Sequence, residues 1–180
     1  MTDTVPFAFL VQDFERKPIH VFICYSHQDK EAMKIFTAEL NEQLESFSKQ
    51  HGIKISSFSD LQLGAGDEWD TVLQENISKT DVLICLLSSG FFKSKYVQDK
   101  EYGKVFNELR EGHRNTLIVP VYFKSCYIAA INEIRSLQFY KPSVAEYFLP
   151  ENEELSFINL VERNRSQVPN YVAGLIRELA

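Results

Sequence analysis

The chain has 180 residues, 44% hydrophobic, 13% aromatic and 24% charged, which is the composition of one ordinary soluble domain with enough apolar material for a core. Its net charge of −6 offers no basic stripe to a phosphate backbone and argues against nucleic acid as a direct partner. The apolar runs are too short to span a membrane, and the N-terminus lacks a basic segment followed by a small-residue cleavage site, so a reducing cytoplasm is the expected compartment.

Residues 1–18 hold Phe7, Phe9, Leu10, Val11 and Phe14, too apolar for a free tail, and read as an N-terminal arm or linker ahead of a domain over 19–180. Ile19 to Tyr25 (IHVFICY) is nearly all apolar and predicts a first strand buried on both faces. A polar turn follows, with Asp29 as a helix cap. Met33, Phe36, Leu40, Leu44 and Phe47 then recur at helical spacing until Gly52. Ile53 to Phe58 is a second strand, Asp60 to Glu68 a loop carrying Gly64 and Gly66, and Trp69, Val72, Leu73 and Ile77 mark a short helix.

The central stretch runs from Asp81 to Gly112. Val82 to Leu87 predicts a third, fully buried strand, which breaks at Ser88-Ser89-Gly90. A helix with Tyr102, Val105, Phe106 and Leu109 as its apolar stripe then ends at Gly112. Thr116 to Phe123 is a fourth strand, in which Pro120 predicts a bulge or an unpaired carbonyl partner. A short helix at Ile128 to Ile134, an edge strand at Leu137 to Tyr140 and a helical segment from Asn159 to Leu179, interrupted at Pro169, complete the chain. Cys24, Cys85 and Cys126 lack metal-ligand spacing, and the first two read as buried free thiols; no metal is expected.

Strands alternating with helices predict an α/β fold, a flavodoxin-like five-stranded parallel sheet of order 2-1-3-4-5 with helices on both faces. The first and third strands are then neighbours, and their carboxyl ends, Tyr25-Ser26 and Ser88-Ser89, flank one crevice with Glu101 over it. A lone carboxylate there suits few reactions. One is cleavage of a glycosidic bond with a good leaving group, where the charge meets a developing oxocarbenium ion. The plainer reading is a helix-surface carboxylate pairing with Lys104 one turn on.

IHVFICYSHQDKE, SDLQLGAGDEW and DVLICLLSSGFFKSKYVQDKEYGKVF, in that order from Ile19 to about Phe123, resemble a Toll/interleukin-1 receptor (TIR) domain of the bacterial, NAD-cleaving kind. The resemblance implies NAD as substrate, with no cofactor, and cleavage to nicotinamide and ADP-ribose or a cyclised form. Glu101 matches the catalytic glutamate, and Tyr25 and Ser26 match positions on the nicotinamide side. It further implies the effector module of an antiphage or immune defence protein, with a fused or associated sensor domain. Such a module is activated by head-to-tail contact with other TIR copies, in which the loop from Asp60 to Glu68 takes part.

Candidate substrate contacts are thus Tyr25, Ser26, Asp60, Trp69 and Tyr96. Four of these have a structural alternative: an ordinary strand end for Tyr25 and Ser26, an Asx-turn for Asp60, a core anchor for Trp69. Relatives often carry an aromatic residue four positions before the glutamate. Here Val97 stands there, with Tyr96 one residue earlier. His27 reads as a solvated loop histidine. Among rivals of similar topology, a phosphoacceptor receiver needs an aspartate where Ser88-Ser89 stand, and a flavin carrier needs a less acidic first loop than Ser26 to Glu31. A non-enzymatic TIR adaptor acting through homotypic contacts and a nucleoside deoxyribosyltransferase-like enzyme stay open.

Overall fold

The computed structural model describes residues 17–60, 69–113, 115–124, 126 and 167–179. Its centre is β3 (Val82–Leu87), every residue of which is buried, as a run without alternation requires. β1 (Ile19–Cys24) lies parallel beside it, with Cys24 in register with Cys85. β2 (Ile55–Phe58) pairs with the outer side of β1, and β4 (Leu117–Tyr122) with the other side of β3, giving the order β2-β1-β3-β4. The expected order is present for these four strands. The fifth strand, at Leu137 to Tyr140, and the helix at Ile128 to Ile134 lie outside the described residues.

The bulge expected at Pro120 is absent. The β3–β4 register runs unbroken from Val82↔Leu117 to Leu87↔Tyr122, with Pro120 opposite Cys85. Alternate residues of a parallel strand address opposite neighbours, so a proline turned away from β3 costs that ladder nothing.

α1 (Lys30–His51) buries Met33, Phe36, Leu40 and Leu44 along one stripe and ends at Gly52. It packs against α5 (Gln167–Arg177), whose Arg177 guanidinium lies 5.3 Å from the centre of the Phe47 ring. Pro169 is the third of the described residues of α5. α2 (Trp69–Lys79) seals Leu73 and Ile77 into the core and packs on β1. Phe22, Phe36, Phe91 and Phe123 are all fully buried; each contributes about 1.5–3 kcal/mol by burial.

Beyond β3 the sequence expectation needs correction. The small residues after Leu87 open a short helix, α3 (Ser89–Lys93), capped by Ser88, whose Oγ accepts from the Phe91 N–H at 3.1 Å. A π-helical turn (Val97–Glu101) follows and runs into α4 (Tyr102–Arg110). Ser88, Ser89 and Gly90 therefore initiate a helix, because the Ser88 hydroxyl satisfies one of its free N–H groups. Asp29 does stand at the N-cap position of α1, as expected, but its carboxylate makes no capping bond to that helix. It is buried instead, accepting from Ser88 Oγ at 2.5 Å with Lys124 Nζ at 3.7 Å, and so ties together the chain just past β1, β3 and β4.

Candidate active site

At the carboxyl edge of the sheet, the segments leaving β1 and β3 enclose a cavity of about 300 Å³. Tyr25, Ser26, His27 and Gln28 form one wall; Gly90, Lys93, Ser94, Tyr96, Val97 and Glu101 form the other. Close approach of the two walls depends on Gly90, where a Cβ would come within 2.5 Å of Ser26 Oγ. Ser26 is itself held in the following turn, accepting from the Gln28 N–H at 3.4 Å.

Glu101 is 5% exposed, at the last position of the π-helical turn. The turn is closed by the Tyr102 N–H bonding to Val97 O, five residues back. One extra residue in a helical turn rotates what precedes it, and such insertions recur at functional sites. Ser94 and Gln98 brace this one from within: Ser94 Oγ accepts from the Val97 N–H at 3.3 Å, and Gln98 Nε2 donates to Phe91 O at 3.1 Å. From α2, Gln74 Nε2 donates to Lys100 O at 3.3 Å.

The Glu101–Lys104 ion pair offered by the plainer sequence reading is not formed. Lys104 Nζ donates to Gln74 Oε1 at 2.7 Å, and Glu101 Oε2 accepts from the Cys24 thiol at 2.9 Å. Among the described residues, no lysine or arginine forms an ion pair with Glu101. Burial raises its carboxyl to about 7; the Cys24 bond opposes the rise, Asp60 adds to it, and His27 opposes it. The acid is thus poised to change charge near neutrality.

Tyr25 and Ser26 are buried at the end of β1 and line the cavity beside Glu101. Burial first, then the Asp60 carboxylate, pushes the Tyr25 phenol well above its ordinary range. Tyr96 lines the same cavity, its hydroxyl donating to Asp70 Oδ1 at 3.2 Å. Val97 is a buried part of the wall. Asp60 is not among the residues lining the cavity: Oδ2 pairs with His27 Nε2, while Oδ1 is buried without a hydrogen-bond partner among the described residues. His27 is solvated, as expected, yet tethered. Trp69 is the first described residue of α2, and its side chain lies outside the described residues, as do residues 61–68.

Gln28, Gly90, Lys93, Ser94 and the Cys24 contact escaped the sequence reading. Gly103 did too, although a glycine inside a helical stripe is a readable signal. A second cavity of about 380 Å³ lies by Ile19 and Leu117, at the opposite edge of the sheet. Its carboxylate, Asp81, is already engaged by the His20 N–H at 2.9 Å and Lys17 Nζ at 3.2 Å.

A family profile described as "TIR domain" matches residues 21–148. The chain is 28% identical over 109 residues to y4lF, an uncharacterized protein of Sinorhizobium fredii, covering 59% of this chain and 30% of that protein. It is 32% identical over 102 residues to the NAD(+) hydrolase TcpA of a Theionarchaea archaeon, covering 57% of this chain and 28% of that protein. The match thus spans under a third of the length of these relatives. Among solved structures, the TIR domain of the Toll-related receptor TRR-2 from Hydra magnipapillata matches at 21% identity and a TM-score of 0.39, covering 72% of this chain and 90% of that one. With a profile covering more than half of its residues, the chain belongs to the TIR domain family.

Proposed function

We propose that this TIR domain cleaves the glycosidic bond between nicotinamide and ribose in NAD, with Glu101 as the catalytic carboxylate. The observation that carries the reading is a buried acid, unpaired with any described lysine or arginine, on the wall of a cavity between two strand ends. In NAD the ring nitrogen is already cationic. Bond heterolysis sends the electron pair to that nitrogen, nicotinamide leaves neutral, and no general acid is required. The positive charge appears on the ribose as an oxocarbenium ion, which an ionised, partly desolvated carboxylate stabilises more than it does the ground state. Water then adds to the ribose to give ADP-ribose, or a nucleophile within the same molecule adds to give a cyclic product.

A cavity of about 300 Å³ is at the small end for ligand sites, matched to one end of a dinucleotide. Tyr25, Ser26 and Tyr96 supply hydroxyls around the reacting sugar, Asp60 a nearby carboxylate, and Lys93 a cation of the sign a pyrophosphate needs. The name of the archaeal relative, an NAD(+) hydrolase, supports the same substrate class. Activation by contact between TIR copies, in a defence effector, belongs to this reading.

Incubating purified protein with NAD and measuring nicotinamide by chromatography tests it. The parent releases nicotinamide and Glu101→Gln does not. A parent that self-associates while NAD stays intact would leave the adaptor role in its place.

A further inference from the structure

We propose that Cys24 is a positioning residue for Glu101, its thiol holding the carboxylate in place and favouring its ionised form. The proposal deepens the reading of Glu101 as the working carboxylate and rests on it for its consequence in catalysis. Its physical content stands on geometry alone.

Cys24 is the last residue of β1 and is fully buried, in register with Cys85 on β3. Its Sγ donates to Glu101 Oε2 at 2.9 Å. One hydrogen bond thus joins the end of the central sheet to the last residue of the π-helical turn. Its donor is carried by a strand held in the β1–β3 ladder. The sequence reads it as a buried free thiol, and a buried cysteine commonly serves as a small apolar residue. This cysteine is also a donor aimed at a charge.

The thiol is a donor that does not ionise in the working range. Burial first, then the Glu101 charge and Cys85, hold it well above the ordinary thiol range. The proton stays on sulfur while the carboxylate titrates. A hydrogen bond to the charged form of an acid favours that form, whereas burial opposes it. Other titratable groups acting on Glu101 are Asp60 past β2 and His27 past β1, while Tyr25, Tyr96 and Cys85 feel its charge. All of them survive a change at Cys24, so that change isolates the thiol.

The test compares Cys24→Ala and Cys24→Ser with the parent. Glutamate carboxyl carbons are labelled with carbon-13, and the Glu101 signal is the one missing from Glu101→Gln. In Cys24→Ala the Glu101 titration midpoint rises by roughly half to one pH unit, as loss of one donor to a carboxylate predicts. In Cys24→Ser, which keeps a donor, it returns toward the parent. Nicotinamide release at pH 6.5 falls about three- to eightfold in the alanine variant and recovers as pH is raised. An unchanged midpoint in a folded alanine variant overturns the proposal, as does a serine variant that titrates like alanine. Because the carbon signal requires no turnover, a protein that leaves NAD intact would sink the enzymatic reading and still decide what Cys24 does. Melting curves identify a variant that fails to fold, in which case the serine variant carries the comparison.

Discussion

A side chain at Gly103 would have to begin where the carbonyl oxygen of Gln98 already sits. That contact is a consequence of the π-helical turn Val97–Glu101, which brings the carbonyl of residue 98 against the backbone of residue 103. Glycine in a helix interior ordinarily costs about 1 kcal/mol relative to alanine. Here it is what allows the turn that directs Glu101 into the cavity.

Gly103→Ala is therefore expected to destabilise the domain rather than stabilise it. The intrinsic helix gain of about 1 kcal/mol is outweighed by a collision with backbone, which has no rotamer by which to retreat, at about 1–3 kcal/mol. The melting temperature should fall by several degrees, or the turn should regularise and carry Glu101 out of the cavity. Calorimetry together with nicotinamide release checks both routes. A variant with parental stability and activity would show that the turn does not depend on this glycine.

Glu101→Gln is expected to separate stability from activity. The folded chain holds the Glu101 proton up to about 7, whereas an ordinary glutamate releases it near 4.5. Between these pH values the folded state binds a proton that the unfolded chain has released. Stability from this group is thus full below about 4.5, falls as pH rises through about 7, and is level above. The penalty at pH 8 is about 3 kcal/mol at most. The glutamine variant should melt several degrees above the parent at pH 8 and match it near pH 4.5, while nicotinamide release drops at least tenfold. A variant less stable than the parent at pH 8 would contradict the raised carboxyl.

The pH dependence of cleavage has the opposite direction. If cleavage proceeds as proposed, with the ionised carboxylate meeting the oxocarbenium ion, turnover should rise with pH through about 7, where half the molecules carry the charge. A rate that falls as pH climbs from 6 to 8, with the fold intact by circular dichroism, would mean that the protonated acid is the active form.

Cys24 and Cys85 are fully buried, and burial, as the largest cause, raises both thiols above their ordinary range. Neither should react with an aromatic disulfide reagent in the native state, and both should react promptly in guanidinium. Prompt native labelling, followed by mass spectrometry of the two peptides, would mean that the β1–β3 pair opens far more readily than a central pair should.

The sequence between Asp60 and Glu68 carries Leu61 and Leu63 beside two glycines, the composition expected of a loop that meets another copy. On this expectation turnover per molecule rises with protein concentration, and Leu63→Asp flattens the rise with little change in melting temperature. A rate per molecule that stays constant across a hundredfold dilution series would describe a self-contained monomer.

The four described strands, the stripe of α1 and the register neighbours at the crevice were legible in the sequence, because continuous burial and helical periodicity are written in local apolar pattern. Val82–Leu87 is the clearest case: six apolar residues without alternation can be satisfied only between two neighbours and two covered faces. Motif order placed Glu101 beyond that strand. What local pattern does not encode is how a chain is offset within a helix, or which atom of a distant strand lies opposite a carboxylate. The tertiary structure alone decided that Glu101 sits in a π-helical turn made possible by Gly103, and that Lys104 turns away to Gln74. It alone decided that Asp29, at the N-cap position of α1, turns its carboxylate to Ser88 and Lys124 rather than to the helix N–H groups. The same holds for the partner of the buried acid, the thiol of Cys24, 77 residues earlier in the chain. Such pairings depend on the three-dimensional approach of strand and helix, which sequence spacing does not carry.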